Sequence, residues 1–122
     1  MKRLATGVLG FRIAYGLALL VAPGKVAGNR WLGPGARQPA ATVALRGLGA
    51  REVAVHGIAL VALARGGEVR PWLAASVAGD LADIGAAFAS RNGLPAGSPA
   101  ATAAVAGGSA ALTAAVAAAL DD

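Results

Sequence analysis

The chain has 122 residues, enough for a single domain spanning 1–122, and 57% of them are apolar, with a mean hydropathy of +0.63; soluble domains sit nearer about 45–50%. Eleven basic residues against six acidic ones leave a formal charge of +5, but no basic stripe interleaved with aromatics accompanies it, which argues against nucleic acid as a partner. Cysteine is absent, so disulfides, thiolate metal sites and cysteine nucleophiles are excluded.

Only 4% of residues are aromatic and 18 are glycine. Small residues are what membrane helices need to approach closely where lipid gives no hydrophobic drive for association. The first apolar segment runs Leu4 to Ala22 and stops at Pro23-Gly24. Lys2 and Arg3 resemble the start of a secretory signal, but Arg12 interrupts the run where such a signal is continuous, so the segment reads as a first membrane helix. A polar connection follows, from Gly24 to Pro39, with Trp31 placed as an interfacial anchor. The second segment, Ala40 to Ala64, closes on Arg65-Gly66-Gly67, a normal helix C-terminus. Pro71 opens the third, which reaches Ser90 with Trp72 at its boundary. The stretch from Arg91 to Pro99 is a loop, and the fourth segment is Ala100 to Leu120, ahead of Asp121 and Asp122.

Each segment holds roughly 19–25 residues, the length that crosses a bilayer core. The predicted fold is all-α: a four-helix up-and-down transmembrane bundle, multi-pass in the cell inner membrane. Its orientation is undecided, because Lys2, Arg3, Arg65 and Arg70 on one side balance Lys25, Arg30, Arg37 and Arg91 on the other. A soluble Ala-rich bundle is the structural alternative.

The charged residues fall at one depth. Arg12 lies near the middle of segment one, Glu52 near the middle of segment two, and Asp80 and Asp83 near the middle of segment three. Charges at bilayer depth are costly and face the bundle interior in pairs. Arg12, Arg46 and Arg51 against Glu52, Asp80 and Asp83 make a balanced set, with His56 neutral. At about 100° per residue, Arg46, Gly49, Glu52 and His56 share one stripe. Ser76, Gly79, Asp80 and Asp83 share another, and Arg12 shares its face with Tyr15, Gly16 and Leu19. Arg51 points away, towards another helix or a neighbouring subunit. The fourth segment carries no charge; Thr102, Gly107, Gly108, Ser109 and Thr113 assign it to packing, with Gly107-Gly108-Ser109 a candidate surface for a homo-oligomer.

The strings RGLGAREVAVHG (Arg46 to Gly57) and GDLADIGAAF (Gly79 to Phe88) resemble the G-A-R-E and G-D-x-x-D signatures of small, uncharacterised four-helix bacterial membrane proteins. The resemblance covers about a third of the chain and implies architecture; no activity comes with it.

Chemically, intramembrane ionisable groups mark substrate paths and proton relays. Asp80, Asp83 and Glu52 are the candidate acids and bases; Arg12, Arg46, His56 and Tyr15 are the candidate binding groups. Glu52 and His56, spaced i, i+4, could ligate a metal with the two aspartates, but there is one histidine and the arginines would repel a cation, so neither metal nor cofactor is expected. Of the serines only Ser76 lies on a polar face, which disfavours a nucleophilic triad. Two carboxylates three residues apart can act as proton donor and acceptor. The leading expectation is a membrane protein whose buried charged site binds, and could transform by acid-base chemistry, a lipophilic small molecule or lipid. A proton-coupled exporter akin to the small multidrug-resistance proteins is a second, weakened because their first-helix glutamate is replaced by Arg12. A structural network, with the chain an accessory subunit of a larger membrane complex, is the third.

Overall fold

The structure is a computed structural model, and it describes residues 1–29 and 31–120. Arg30, counted above among the loop charges, lies outside the described residues, as do Asp121 and Asp122. Four long helices dominate: α1 (Lys2–Val21), α3 (Pro39–Ala64), α4 (Arg70–Ala89) and α5 (Ser98–Leu120). All four are long and apolar enough to cross a membrane, and no strand occurs among the described residues. The up-and-down bundle expected from the hydropathy pattern is therefore what forms.

Prolines mark the helix starts. Pro39, Pro71 and Pro99 each lie in a first turn, where a missing N–H costs nothing and the fixed φ suits a helix. That is why α5 begins at Ser98, two residues before the expected boundary. At the other end of α3, Gly66 takes φ +70°. The Gly67 N–H donates to the Ala62 carbonyl at 2.8 Å and the Gly66 N–H to that of Leu63 at 3.4 Å, the paired bonds of a Schellman cap.

The connection between the first two long helices departs from expectation. Instead of a featureless loop it contains a short helix, α2 (Pro23–Ala27), and a 3₁₀ turn at Gly33–Arg37. Its small residues explain this: Pro23, Ala27, Gly33 and Ala36 are buried against the bundle, and Ala27 and Ala36 pack with Leu19 and Leu45. The Asn29 side chain accepts the Trp31 N–H at 3.0 Å and donates to the Val26 carbonyl at 3.1 Å. This local tie folds the connection back over the end of the bundle and seats Trp31 among Tyr15, Val26 and Leu48.

Two apolar clusters result. One, at the connection end, gathers Leu19, Ala27, Ala36 and Leu45. The other gathers Ala5, Leu9, Ala59, Leu63, Leu73 and Val116. Between them along α1 and α3 lies a layer of buried polar side chains, Arg12, Glu52, His56, Ser76 and Asp80. Meanwhile Phe11, Val21, Val43 and Val105 stand 65–80% exposed. Charge inside and large apolar side chains outside is the arrangement that lipid favours and water does not. The chain is a small membrane protein, and the soluble bundle is set aside.

The closest packing is between α1 and α3. A methyl group built on Gly16 would meet the Gly49 carbonyl oxygen at 2.7 Å and Glu52 Cβ at 2.8 Å; one built on Gly49 would meet the Gly16 carbonyl at 2.6 Å and Leu19 Cβ at 2.9 Å. The two glycines face each other and let the backbones touch. Gly7 and Gly47, by contrast, have nothing within 4 Å of such a methyl. Gly16→Ala and Gly49→Ala should each destabilise the bundle by about 1–3 kcal/mol, the usual cost of overpacking, whereas Gly7→Ala should leave stability unchanged or raise it. Unfolding of the three variants in mixed micelles, followed by circular dichroism, checks the contrast.

Candidate functional site

Arg12 is the centre of the polar layer. The Gly16–Gly49 contact sits one turn along α1 and brings the two backbones close enough for the Arg12 guanidinium to lie flat against Glu52. Nε donates to Glu52 Oε2 at 2.7 Å and Nη2 to Oε1 at 2.8 Å. On its other edge Nη1 donates to Asp80 Oδ2 at 2.9 Å and Nη2 to Oδ1 at 2.7 Å. Four of the five guanidinium N–H groups are thus used in two bidentate pairs, the geometry that suits arginine and not lysine. All three residues are at most 5% exposed. One side chain of α1 therefore ties α3 to α4.

A second pair flanks the first. Arg51 donates to Asp83 at 2.8 and 3.4 Å and stands 3.9 Å from Glu52 Oε1. Gly79 makes room: a methyl there would lie 3.3 Å from the Arg51 guanidinium carbon, so the absence of a side chain lets the arginine lie across α4. Arg51, which pointed away from the polar stripe in the helical projection, reaches α4 of its own chain. This pair is partly open, with side-chain exposures of 40% and 33%.

His56 completes the layer. Its Nδ1 lies 2.6 Å from the Glu52 backbone carbonyl and its Nε2 2.7 Å from Ser76 Oγ. A carbonyl only accepts, so Nδ1 carries the hydrogen; Nε2 then accepts the Ser76 hydroxyl proton in the neutral ring, or donates to Ser76 once protonated. Nδ1 also stands 3.4 Å from Glu52 Oε2. The histidine thus rests against both Glu52 and α4.

Arg46 is where expectation fails. It is exposed, and its Nε donates to the Leu20 carbonyl at 3.1 Å, serving one of the unpaired carbonyls in the last turn of α1 and facing the negative end of that helix. In helical projection Arg46 lies at the edge of the stripe, about 120° round from Glu52, while the buried face of α3 runs through Leu45, Gly49, Glu52 and His56; the six residues also amount to about 9 Å along the axis. The buried set consequently lacks a third arginine. Two guanidinium groups face three carboxylates, not three against three.

Beside this layer lies a cavity of about 570 Å³. Arg12, Tyr15, Glu52, Asp80 and Asp83 form its polar wall; Phe11, Val26, Trp31, Leu48 and Val105 form its apolar walls, and Thr102 and Ser109 of α5 close it. Of the sequence-selected residues, it collects Asp80, Asp83, Glu52, Arg12 and Tyr15 and leaves out Arg46; His56 sits behind Glu52. The contribution of α5 exceeds the packing role expected of it. Thr102, Ser109 and Thr113, at spacings of seven and four, share one helical face, a signal available in the sequence. Phe11, Val26 of α2 and Asn29 after it had no such signal.

Among the described residues no group of three or more His, Asp and Glu side chains is placed to hold a metal ion. Arg12 occupies the position between Glu52 and Asp80 where a cation bridging them would have to sit. Comparison of the chain with family models, with curated proteins and with solved structures finds no match.

The geometry separates the arginines by function. Arg12→Leu strands two buried carboxylates and should destabilise the bundle by about 3–5 kcal/mol, the cost of breaking a buried ion pair; Arg12→Lys, which cannot fork to both, should recover only part of it. Arg46→Ala should change stability by less than about 1 kcal/mol, as exposed charges do. The same micellar unfolding series, with all three variants measured side by side, decides this.

Proposed function

We propose that the cavity beside the Arg12–Glu52–Asp80 layer is a binding site for a lipophilic small molecule within the membrane. The observation that carries this reading is the cavity's two-sided wall: an apolar side built from Phe11, Trp31, Leu48 and Val105 faces a polar side bearing Tyr15, Glu52 and Asp83. A cavity of about 570 Å³ is within the size range of small-molecule sites, and a mostly apolar lining with a few convergent polar groups is their usual composition.

Acid-base chemistry on such a ligand falls to Asp83, with Tyr15 beside it. Both oxygens of Glu52 and of Asp80 are engaged by Arg12. Asp83 also accepts from Arg51 at both oxygens, but one of the two bonds is long, at 3.4 Å, and the side chain remains a third exposed, so it is the carboxylate placed to exchange a proton with a molecule in the cavity. Arg12 then acts as a positioning residue that fixes the wall on which Asp83 stands.

One observation favours a second reading, in which the layer is purely structural. Four of the five guanidinium N–H groups of Arg12 are taken by two bidentate carboxylates, and buried ion networks of this kind can specify helix register without binding anything. Native mass spectrometry of protein extracted under mild conditions, with organic extraction of whatever travels with it, distinguishes the two. The site reading expects a lipophile at about one per chain, lost on Ala106→Phe, which fills the cavity without touching an ion pair. Protein that is empty from every membrane preparation tried leaves the structural reading standing alone.

A further inference from the structure

Charge counting narrows the ligand. Arg12 and Arg51 bear two positive charges, and Glu52, Asp80 and Asp83 bear three negative ones; Arg46 lies elsewhere, at the end of α1. The set is short of one positive charge at a depth where an unmatched charge is costly. A ligand that brings its own positive charge supplies it.

Three further features of the same cavity agree. Thr102 lines the cavity from α5, and its Oγ1 is buried with no hydrogen-bond partner. A buried hydroxyl left unpaired is unfavourable, and a polar ligand group that reaches it relieves that cost. Phe11, Tyr15 and Trp31 line the cavity as well, and aromatic faces attract cations. Asp83, the carboxylate least engaged, lies on this wall.

The cavity also has a neighbour. A second cavity of about 520 Å³ runs along α1 and α5 and shares Phe11, Arg12, Val105 and Ser109 with the first. Gly7 and Gly108 line it, and a methyl group on either would meet nothing within 4 Å. The two cavities adjoin at the four residues they share, between helices that pack on each other only sparsely.

We infer that the ligand is a hydrophobic organic cation, taken from the membrane through the α1–α5 cleft and held with its positive charge facing Asp83 and its apolar groups against Phe11, Trp31 and Val105. This rests on the cavity being a ligand site, as proposed above, and adds the sign of the ligand's charge and its route of entry.

Two probes of equal size and shape and opposite charge test it: tetraphenylphosphonium and tetraphenylborate, each titrated by equilibrium dialysis against the protein in phosphatidylcholine nanodiscs, with empty nanodiscs subtracted. Saturable binding of the cation at one per chain, at least tenfold tighter than the anion, is expected. Asp83→Asn, which removes the excess negative charge, should weaken cation binding tenfold or more, and Ala106→Phe should abolish it; circular dichroism melting confirms that both variants are folded. Gly108→Leu, which narrows the cleft, should slow cation uptake more than it weakens binding. Tighter binding of the anion, or cation binding indifferent to Asp83→Asn, overturns the charge assignment. Binding of neither probe by a protein that still carries an extracted neutral lipophile also overturns it, while the site itself survives. An empty protein that binds neither probe overturns both.

Discussion

A guanidinium at the centre of an apolar bundle is stable only if its donors find acceptors, and Arg12 places four of its five N–H groups by drawing two carboxylates from two other helices onto its two edges. Everything else in the polar layer follows from that demand. Glu52 must come within hydrogen-bonding distance, so α1 and α3 must cross where neither has a side chain, at Gly16 and Gly49. Asp80 must arrive from the opposite side, which fixes the rotation of α4. That rotation carries Ser76 to His56 and Asp83 to Arg51. In lipid, where apolar packing between helices competes with equally apolar acyl chains, such a tie does what a hydrophobic core does in water: it makes one register of the helices better than its neighbours.

The same tie leaves an asymmetry. Because Arg12 binds α1, α3 and α4, those three helices share the charged layer, while α5 joins chiefly through α4. The gap between α1 and α5 is therefore the weakly packed seam of the bundle, and the cavities open along it. Polarity is also uneven along the seam: the cavity that holds the carboxylates has Thr102 on its α5 side, and the adjoining one has Thr113 and no carboxylate, both hydroxyls being buried without a partner. A bundle built only to be stable would have no reason to bury hydroxyls without partners.

Much of this could be read in advance. Hydropathy over four segments and the proline and glycine punctuation located the long helices to within about two residues, because chain length at bilayer scale and φ restrictions are local properties. The pairing of Arg12, Glu52 and Asp80 was legible from their common depth, since charge at the middle of a membrane must find charge. What stayed hidden depends on three dimensions. Arg46 stands at the edge of the stripe that holds Glu52, outside the buried face of α3, and the carbonyl it serves lies at the end of α1. The fold of the first connection rests on Ala27 and Ala36 fitting under Trp31, and alanines in a Gly-Pro stretch carry no pattern that says so. The involvement of α5 was written in the spacing of Thr102, Ser109 and Thr113, but three hydroxyls on an alanine helix look like packing until a cavity is found in front of them.

The central element is the double fork at Arg12, and its most direct measurement is by magic-angle spinning NMR in lipid bilayers. Protein with ¹⁵N-labelled arginine side chains and ¹³C-labelled Glu and Asp carboxyl carbons, in an Arg51→Lys background that removes the neighbouring Arg51–Asp83 pair, reports the dipolar couplings of the Arg12 guanidinium. Short contacts from its nitrogens to one Glu and one Asp carboxyl carbon, both lost on Arg12→Lys, are the expected result. Couplings to a single carboxyl, or to none, would mean that Arg12 does not join α3 to α4, and the register of the bundle would need another cause.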